Sequence, residues 1–238
     1  MDALICVRMG SSRLPGKALM EIGDNMNSLD LIVKKIKNCT KIDRIIIATT
    51  KSPKDDAIVE WATDKNVIIY RGSENDVLGR INNAVNKFEC EHVMEILGDN
   101  PLVPEELISE CVYEYESRKK SEIMYLASAT NEYKFSNPSY VHPIGIRVQI
   151  FSKSFINKIE SLTWSNSERE HSTSFIYDKP DFYGVSLLEP KLSFPKIARE
   201  FNFAINTKEQ LENAKSIFKI YGKNHTLSDL INWVGDND

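Results

Sequence analysis

The sequence has no stretch of about 18 uninterrupted apolar residues, the length a membrane-spanning helix needs. No basic segment precedes a long apolar stretch at its start, where residues 3–7 run straight into a strand pattern. Neither a signal peptide nor a membrane partner is expected, and the expected location is cytoplasmic. Cysteine is scarce: Cys6, Cys39, Cys90 and Cys111 show no C-x-x-C and no metal-ligand spacing. They read as buried or incidental thiols, in keeping with a reducing cytoplasm. An excess of positive charge is missing too. With 30 Lys and Arg against 34 Asp and Glu, the net charge is −4 and the pI about 5.7. That balance argues against a general nucleic-acid or anionic-membrane binder. No internal repeat, low-complexity tract or covalent nucleophile stands out.

What remains is an ordinary globular composition, 42% hydrophobic and 27% charged over 238 residues. That length suits one large domain over residues 1–238 and can bury a substantial core. Ala3-Leu4-Ile5-Cys6-Val7, Arg44 to Thr49, Val67 to Tyr70 and His92 to Leu97 read as buried strands. Between them lie a helix through Leu29, Leu31, Ile32 and Ile36, one opened by Ser52-Pro53-Lys54-Asp55, and one from Val77 to Phe88. In the second, Ile58, Trp61 and Ala62 are expected on the core face. Strand–helix alternation predicts right-handed crossovers and a mostly parallel sheet flanked by helices.

Farther along, a helix is expected from Pro104 to Ser117 and strands at Met124–Ser128, Ile144–Phe151, Tyr183–Leu188 and Phe203–Ile205. The Tyr183–Leu188 strand is placed at the sheet edge. Helices are expected at Lys153–Ile159 and Arg169–Tyr177, and from a Thr207/Gln210 capping box to Ile220. The polar stretch from Ala129 to Val141 reads as a loop over the site. Asn166 to Glu170 reads as a hinge toward a small dimerisation lobe, inserted at about residues 130–190.

The stretch that organises the chain is Arg8-Met9-Gly10-Ser11-Ser12-Arg13-Leu14-Pro15-Gly16-Lys17, directly after the first strand. Gly10 and Gly16 permit backbone angles other residues resist, so that N–H groups of Gly10 to Ser12 can converge on one anion. Arg8, Arg13 and Lys17 add full charges around it, two as forks and one as a point charge. The end of the first strand is where such folds place ligands. The spacing is neither a Walker A loop nor a dinucleotide G-x-G-x-x-G.

This R-M-G-S-S-R-L-P-G-K segment resembles the nucleotide-binding signature of the cytidylyltransferases that make CMP-activated sugars. These are the CMP-sialic acid and CMP-KDO synthetases and, above all, the SpsF-type spore-coat polysaccharide proteins. The resemblance implies a Rossmann-like nucleotidyltransferase fold and a homodimer. It implies Mg2+-dependent transfer of CMP from CTP to an acidic acceptor such as a nonulosonic acid or KDO, with release of pyrophosphate. Arg8, Arg13 and Lys17 take the catalytic role in that reading, and Val7, Met9, Gly10, Ser11 and Ser12 bind nucleotide. A phosphate or phosphonate acceptor, or a homologue that binds nucleotide without turnover, are the alternatives.

Further segments extend the likeness. Arg71-Gly72-Ser73-Glu74-Asn75-Asp76-Val77-Leu78-Gly79-Arg80 resembles the G-S-E-x-D-V-L-x-R that lies over the nucleotide in SpsF-type proteins. It places Arg71, Ser73, Asp76 and Arg80 at the nucleotide. Ser73 also suits a helix cap, and Arg80 suits either the cytosine carbonyl or an i, i+4 pair with Asp76. Gly98-Asp99-Asn100-Pro101 resembles the family's G-D-x-P, in which the aspartate holds metal. Taken alone, Asp99 reads as a turn residue. The family's second metal aspartate falls on Asn206, a neutral carbonyl that should weaken Mg2+ binding.

Where SpsF-type proteins tend to have D-G-L-D-V-E, this chain reads Ile144-Gly145-Ile146-Arg147-Val148-Gln149. Arg147 suggests an anionic group on the acceptor, or else points outward. His142 and Gly145 resemble the H-x-x-G-I of the CMP-KDO synthetases. Arg169-Glu170-His171 resembles an R-E-H placed at the acceptor rim, where Arg169 and His171 either contact the acceptor or serve the structure.

Overall fold

The computed structural model describes residues 1–118, 125–128, 130, 141–162, 165–172, 176, 183, 185–188 and 195–236. Strand β1 (Asp2–Cys6) is flanked by β4 (Arg44–Thr50) and β6 (His92–Leu97), with β5 (Ile68–Gly72) outside β4. All four run parallel. Beyond β6 the sheet continues through β8 (Gln149–Ser152), β7 (Tyr125–Ser128) and β9 (Val185–Leu188). Strand β8 runs antiparallel to both its neighbours, and β9 runs parallel to β7 at the edge. A parallel sheet is covered on both faces, which is why its strands read as continuous apolar runs rather than alternations. Ala3, Ile5 and Val7 enter one buried cluster, Leu4 and Cys6 the other.

The first of these clusters is closed by α1 (Ser28–Lys37), α2 (Asp56–Asp64), α4 (Glu105–Arg118), α8 (Lys208–Tyr221) and α9 (Leu227–Asp236). The second is closed by α3 (Val77–Lys87) and α5 (Lys153–Glu160). Each large apolar side chain taken out of water here contributes about 1.5–3 kcal/mol, and Ile5, Leu29, Ile47 and Phe155 are among them. Two short helices, α6 (Asn166–Glu170) and α7 (Lys196–Glu200), lie in the C-terminal half.

The structure departs from several of these expectations. A hairpin, β2 (Glu21–Gly23) and β3 (Met26–Asn27), turns through Asp24 and Asn25, both at positive φ, between the loop and α1. It delivers Asn27 as the cap of α1, in a reciprocal box with Asp30. Ser52 makes no side-chain cap bond; residues 53–55 form a 3-10 turn and α2 begins only at Asp56. Ile58 and Ala62 are buried as expected, while Trp61 is half-buried with its indole N–H on Asp30.

The expected hinge at 166–170 is the helix α6, because Ser165 and Glu168 form an S-x-x-E capping box. That helix ends at Glu170 rather than running to residue 177; residues 173–175 and 177 lie outside the described set. Of the expected Ile144–Phe151 strand only Gln149–Phe151 is extended, within β8 that runs on to Ser152, and residues 203–205 form none. Instead Ile144 bridges Asn202, Phe203 N–H donates to Ile144 C=O, and Ile205 N–H to Asp99 C=O. Gly145, at φ 87°, permits that crossing: a Cβ there would meet the Phe203–Ala204 backbone. Of the expected loop at 129–141, only Thr130 and Val141 are described, and both are buried. The Thr207/Gln210 capping box of α8 is present.

Candidate active site

A cleft of about 500 Å3 opens at the C-terminal ends of β1 and β6. The β1 loop forms one wall. Its Met9 carbonyl accepts the N–H groups of Ser11 and Gly16 at 2.9 and 3.0 Å, folding residues 9–16 into a closed turn. Gly16 sits at φ 78°, in the left-handed region. Gly10 does not use a positive φ. A Cβ there would come within 3.1 Å of the carboxylate of Glu74, an exposed side chain free to give way. Of the three N–H groups expected to face an anion, that of Ser11 is already spent on Met9, which leaves the expectation with Gly10 and Ser12.

The loop is anchored from below by Asp55, which is 1% exposed. One oxygen accepts Met9 N–H at 2.7 Å; the other accepts Thr50 Oγ1 at 2.5 Å, Thr49 Oγ1 at 3.0 Å and Thr50 N–H at 3.1 Å. Burial works to raise this carboxyl, but the Thr50, Met9 and Thr49 bonds outweigh it and hold it below the usual range. Nothing in the sequence pattern distinguished Asp55 from a helix-start acid.

Arg8, Arg13 and Lys17 all line the cleft. Arg8 donates to Glu74 C=O at 3.1 Å and to the Glu170 carboxylate at 3.3 Å. The Lys17 ammonium lies 2.7 Å from Asp99 Oδ2 and 2.8 Å from Asn206 Oδ1, and Arg13 reaches the same Asn206 oxygen at 2.9 Å. One carboxylate and one amide carbonyl thus converge on a single cation. Val7, Ser11, Ser12 and Gly98 also line the cleft, and a Cβ on Gly98 would collide with Val7.

The remaining candidates divide. Arg80 is buried on the cleft wall, its Nη1 on Ser73 C=O at 2.7 Å. It does not pair with Asp76 at hydrogen-bond distance. Asp76 instead caps α3 through Gly79 N–H and takes a two-point bond from Arg169 at 2.8 and 2.9 Å. Burial raises the Asp76 carboxyl, but Arg169 and the Gly79 N–H prevail and lower it. Ser73 does not cap α3; its hydroxyl accepts Asp76 N–H.

Arg71 is turned from the cleft onto Thr50 C=O, Ser52 C=O and Asp56. Arg147 does not point outward: it is buried and lines the cleft beside Gln149. His171 ends α6 and lines the cleft with Glu170, whereas Met9, Arg169 and the fully buried His142 are not among its lining residues. Cys6, Gln149 and Glu170 are lining residues that the sequence did not single out.

A glycine-bearing cationic loop after the first strand of a mostly parallel sheet, facing an aspartate after a central strand, defines a nucleotide-binding transferase of the Rossmann-like class. A family model for cytidylyltransferases matches residues 3–229. The chain belongs to the cytidylyltransferase family and is a nucleotidyltransferase.

Among curated relatives, the spore coat polysaccharide biosynthesis protein SpsF of Bacillus subtilis is 28% identical, over 94% of this chain and 89% of that protein. A 3-deoxy-manno-octulosonate cytidylyltransferase from Photorhabdus laumondii is 29% identical over 45% of this chain and 43% of its own. Among solved structures, a cytidylyltransferase from Leptospira borgpetersenii superposes with a TM-score of 0.85 at 25% identity, covering 99% of this chain and 94% of that one.

Proposed function

We propose that the chain transfers CMP from CTP to an acidic acceptor, a sugar acid used in surface polysaccharide or glycoconjugate synthesis, and releases pyrophosphate. The observation that carries this reading is the division of positive charge in one cleft. Arg8, Arg13 and Lys17 stand on the loop side, and Arg147 is buried on the floor. The first group suits a triphosphate; the second suits an acid on the other reactant. The names of the Bacillus and Photorhabdus relatives point the same way.

Arg8, Arg13 and Lys17 would leave Glu170, Asn206 and Asp99 to neutralise the phosphates, with Gly10 and Ser12 N–H groups donating beside them. The acceptor's hydroxyl oxygen bonds to the α-phosphorus as the α–β bridge breaks in line. Pyrophosphate leaves with the bridging electrons and the hydroxyl proton passes to solvent. Positioning and charge stabilisation supply the catalysis, so no covalent nucleophile is needed.

The oxygens of Asp99 and Asn206 already meet at one cation, the Lys17 ammonium, and so fit Mg2+ held by few protein oxygens with phosphates and waters completing the shell. Among the described residues there is no cluster of three His, Cys, Asp or Glu that would hold a metal without the nucleotide. Bound there, Mg2+ would supply charge stabilisation on the phosphate oxygens.

The test begins with thermal unfolding against each of the four nucleoside triphosphates, with and without Mg2+. A ligand at 100 times its Kd stabilises by about 2.7 kcal/mol. A shift specific to CTP and lost in Arg13→Ala, followed by pyrophosphate release with a panel of sugar acids and sugar phosphates, is the expected result. Equal shifts with all four triphosphates, or release with sugar phosphates alone, would overturn the base or the acceptor assignment respectively.

A further inference from the structure

Beneath the cleft, buried polar side chains form a closed relay. Glu95 stands in β6, 1% exposed, directly across the ladder from Gln149 on β8. Its Oε2 accepts the Gln149 side-chain N–H. Gln149 Oε1 in turn accepts Arg147 Nη2 at 2.7 Å and the Tyr125 hydroxyl at 2.5 Å. Both ends of the amide are therefore committed, nitrogen toward the carboxyl and oxygen toward two donors. A flipped amide would set its NH2 against the Arg147 guanidinium, donor facing donor.

The floor also carries buried charge. Arg80 and Arg147 are both buried and both line the cleft, and Arg80 Nε is buried without a hydrogen-bond partner among the described residues. Among the described residues Glu95 is the carboxyl joined to this relay, and burial pushes it up, against the pull of the Cys6 thiol and the Arg147 charge. Burial has stripped both guanidiniums of water, so an anionic group entering the cleft above them would meet little desolvation cost on the protein side.

We propose that Glu95 is a positioning residue for acceptor recognition: through Gln149 it fixes Arg147 as the anchor for the acceptor's anionic group on the cleft floor. The inference rests on the CMP-transfer reading above and identifies what sets its acceptor specificity. Glu95 touches no reactant. Its part is to keep one amide from turning, so that the guanidinium behind the acceptor has a single orientation.

The decisive comparison is between Glu95→Gln, which keeps an oxygen for the Gln149 amide, and Glu95→Met, which removes it at similar volume. Pyrophosphate release is measured with CTP and with 3-deoxy-manno-octulosonate or N-acetylneuraminate as the acid. Glu95→Met is expected to raise the acceptor KM at least tenfold while the CTP KM stays within about twofold, and Glu95→Gln to remain near the parental values. Gln149→Leu breaks the relay without touching β6 and should reproduce the Met result, which keeps the test open if Glu95→Met does not fold.

Equal changes in both KM values, or a Gln variant as impaired as the Met variant, would overturn the inference while leaving the transferase reading intact. A parental enzyme that shows the CTP-specific thermal shift but turns over neither acid would instead overturn the acceptor reading, and the inference with it.

Discussion

The Lys17 ammonium lies between Asp99 and Asn206, 2.7 and 2.8 Å from their oxygens, so under the proposed reading Mg2+ held by those two side chains would have to displace it. On that reading the lysine competes with any cation for the pair in the nucleotide-free protein. Lys17→Met should raise the affinity for Mn2+ in the absence of nucleotide, about tenfold, while lowering turnover with CTP by at least 100-fold. Mn2+ binding followed by electron paramagnetic resonance checks the first effect. Arg13→Met, which removes a cation touching Asn206 alone, should move Mn2+ affinity less. Equal gains in the two variants would mean that nearby charge, not occupancy of the site, is responsible.

Asp55 gathers four hydrogen bonds beneath the β1 loop. Asp55→Ala strands the buried Thr49 and Thr50 donors and releases Met9 N–H, at a cost of about 2–3 kcal/mol. For a chain of this length that lowers Tm by roughly 4–12 °C, and CTP affinity should fall with it. The folded carboxyl titrates below its unfolded value. Its stabilising contribution is thus present above the unfolded pKa and lost as pH falls through the folded one. Urea unfolding from pH 6 to 3 should show parent and variant converging toward the acid end.

Arg169 braces the nucleotide side of the fold by gripping Asp76 at two points and Glu160 at a third. Arg169→Ala should lower Tm by a few degrees and weaken CTP binding through the cap of α3, with a smaller effect on acceptor KM. Arg169→Lys should recover little, since an ammonium cannot reproduce the two-point geometry. An acceptor KM that rose with unchanged CTP binding would return Arg169 to the acceptor rim.

His225 is 2% exposed, with Nε2 beside Leu102 C=O and the Lys35 ammonium, and Nδ1 beside Gly222 C=O. Burial, then the Lys35 charge, lowers its pKa to about 4. The unfolded chain takes up a proton near pH 6.5 and the folded one does not, so stability falls as pH drops from 6.5 toward 4. The loss is on the order of 3 kcal/mol. His225→Gln should flatten that part of the pH–stability curve relative to the parent, as read by denaturant midpoints. A variant curve parallel to the parent's would show that the imidazole is not buried neutral.

Both halves of the identification were legible in short range. The β1 loop and the alternation of apolar strands with helices are contiguous in sequence, and each carries its meaning locally. A buried parallel strand must be apolar on both faces, and a phosphate loop must collect glycines and cations within a few residues. The capping box at Thr207 and the helices α3, α4 and α8 were read for the same reason.

Other features were not legible, because they depend on partners far along the chain. That Asp55 would turn inward to Met9, that Asp76 would be taken by Arg169, 93 residues away, and that Arg71 would face away from the cleft follow only from packing. The reversal of β8 is the clearest case. Its direction and register together set Gln149 opposite Glu95, with Arg147 bonded to that Gln149 on the cleft floor. Hydrophobic pattern distinguishes a strand from a helix but carries no sign for the direction in which a buried strand runs. The sequence by itself determined the class of fold and the cationic loop. The tertiary structure decided which charges meet, since hydrogen bonding and burial act on neighbours in space, not in sequence.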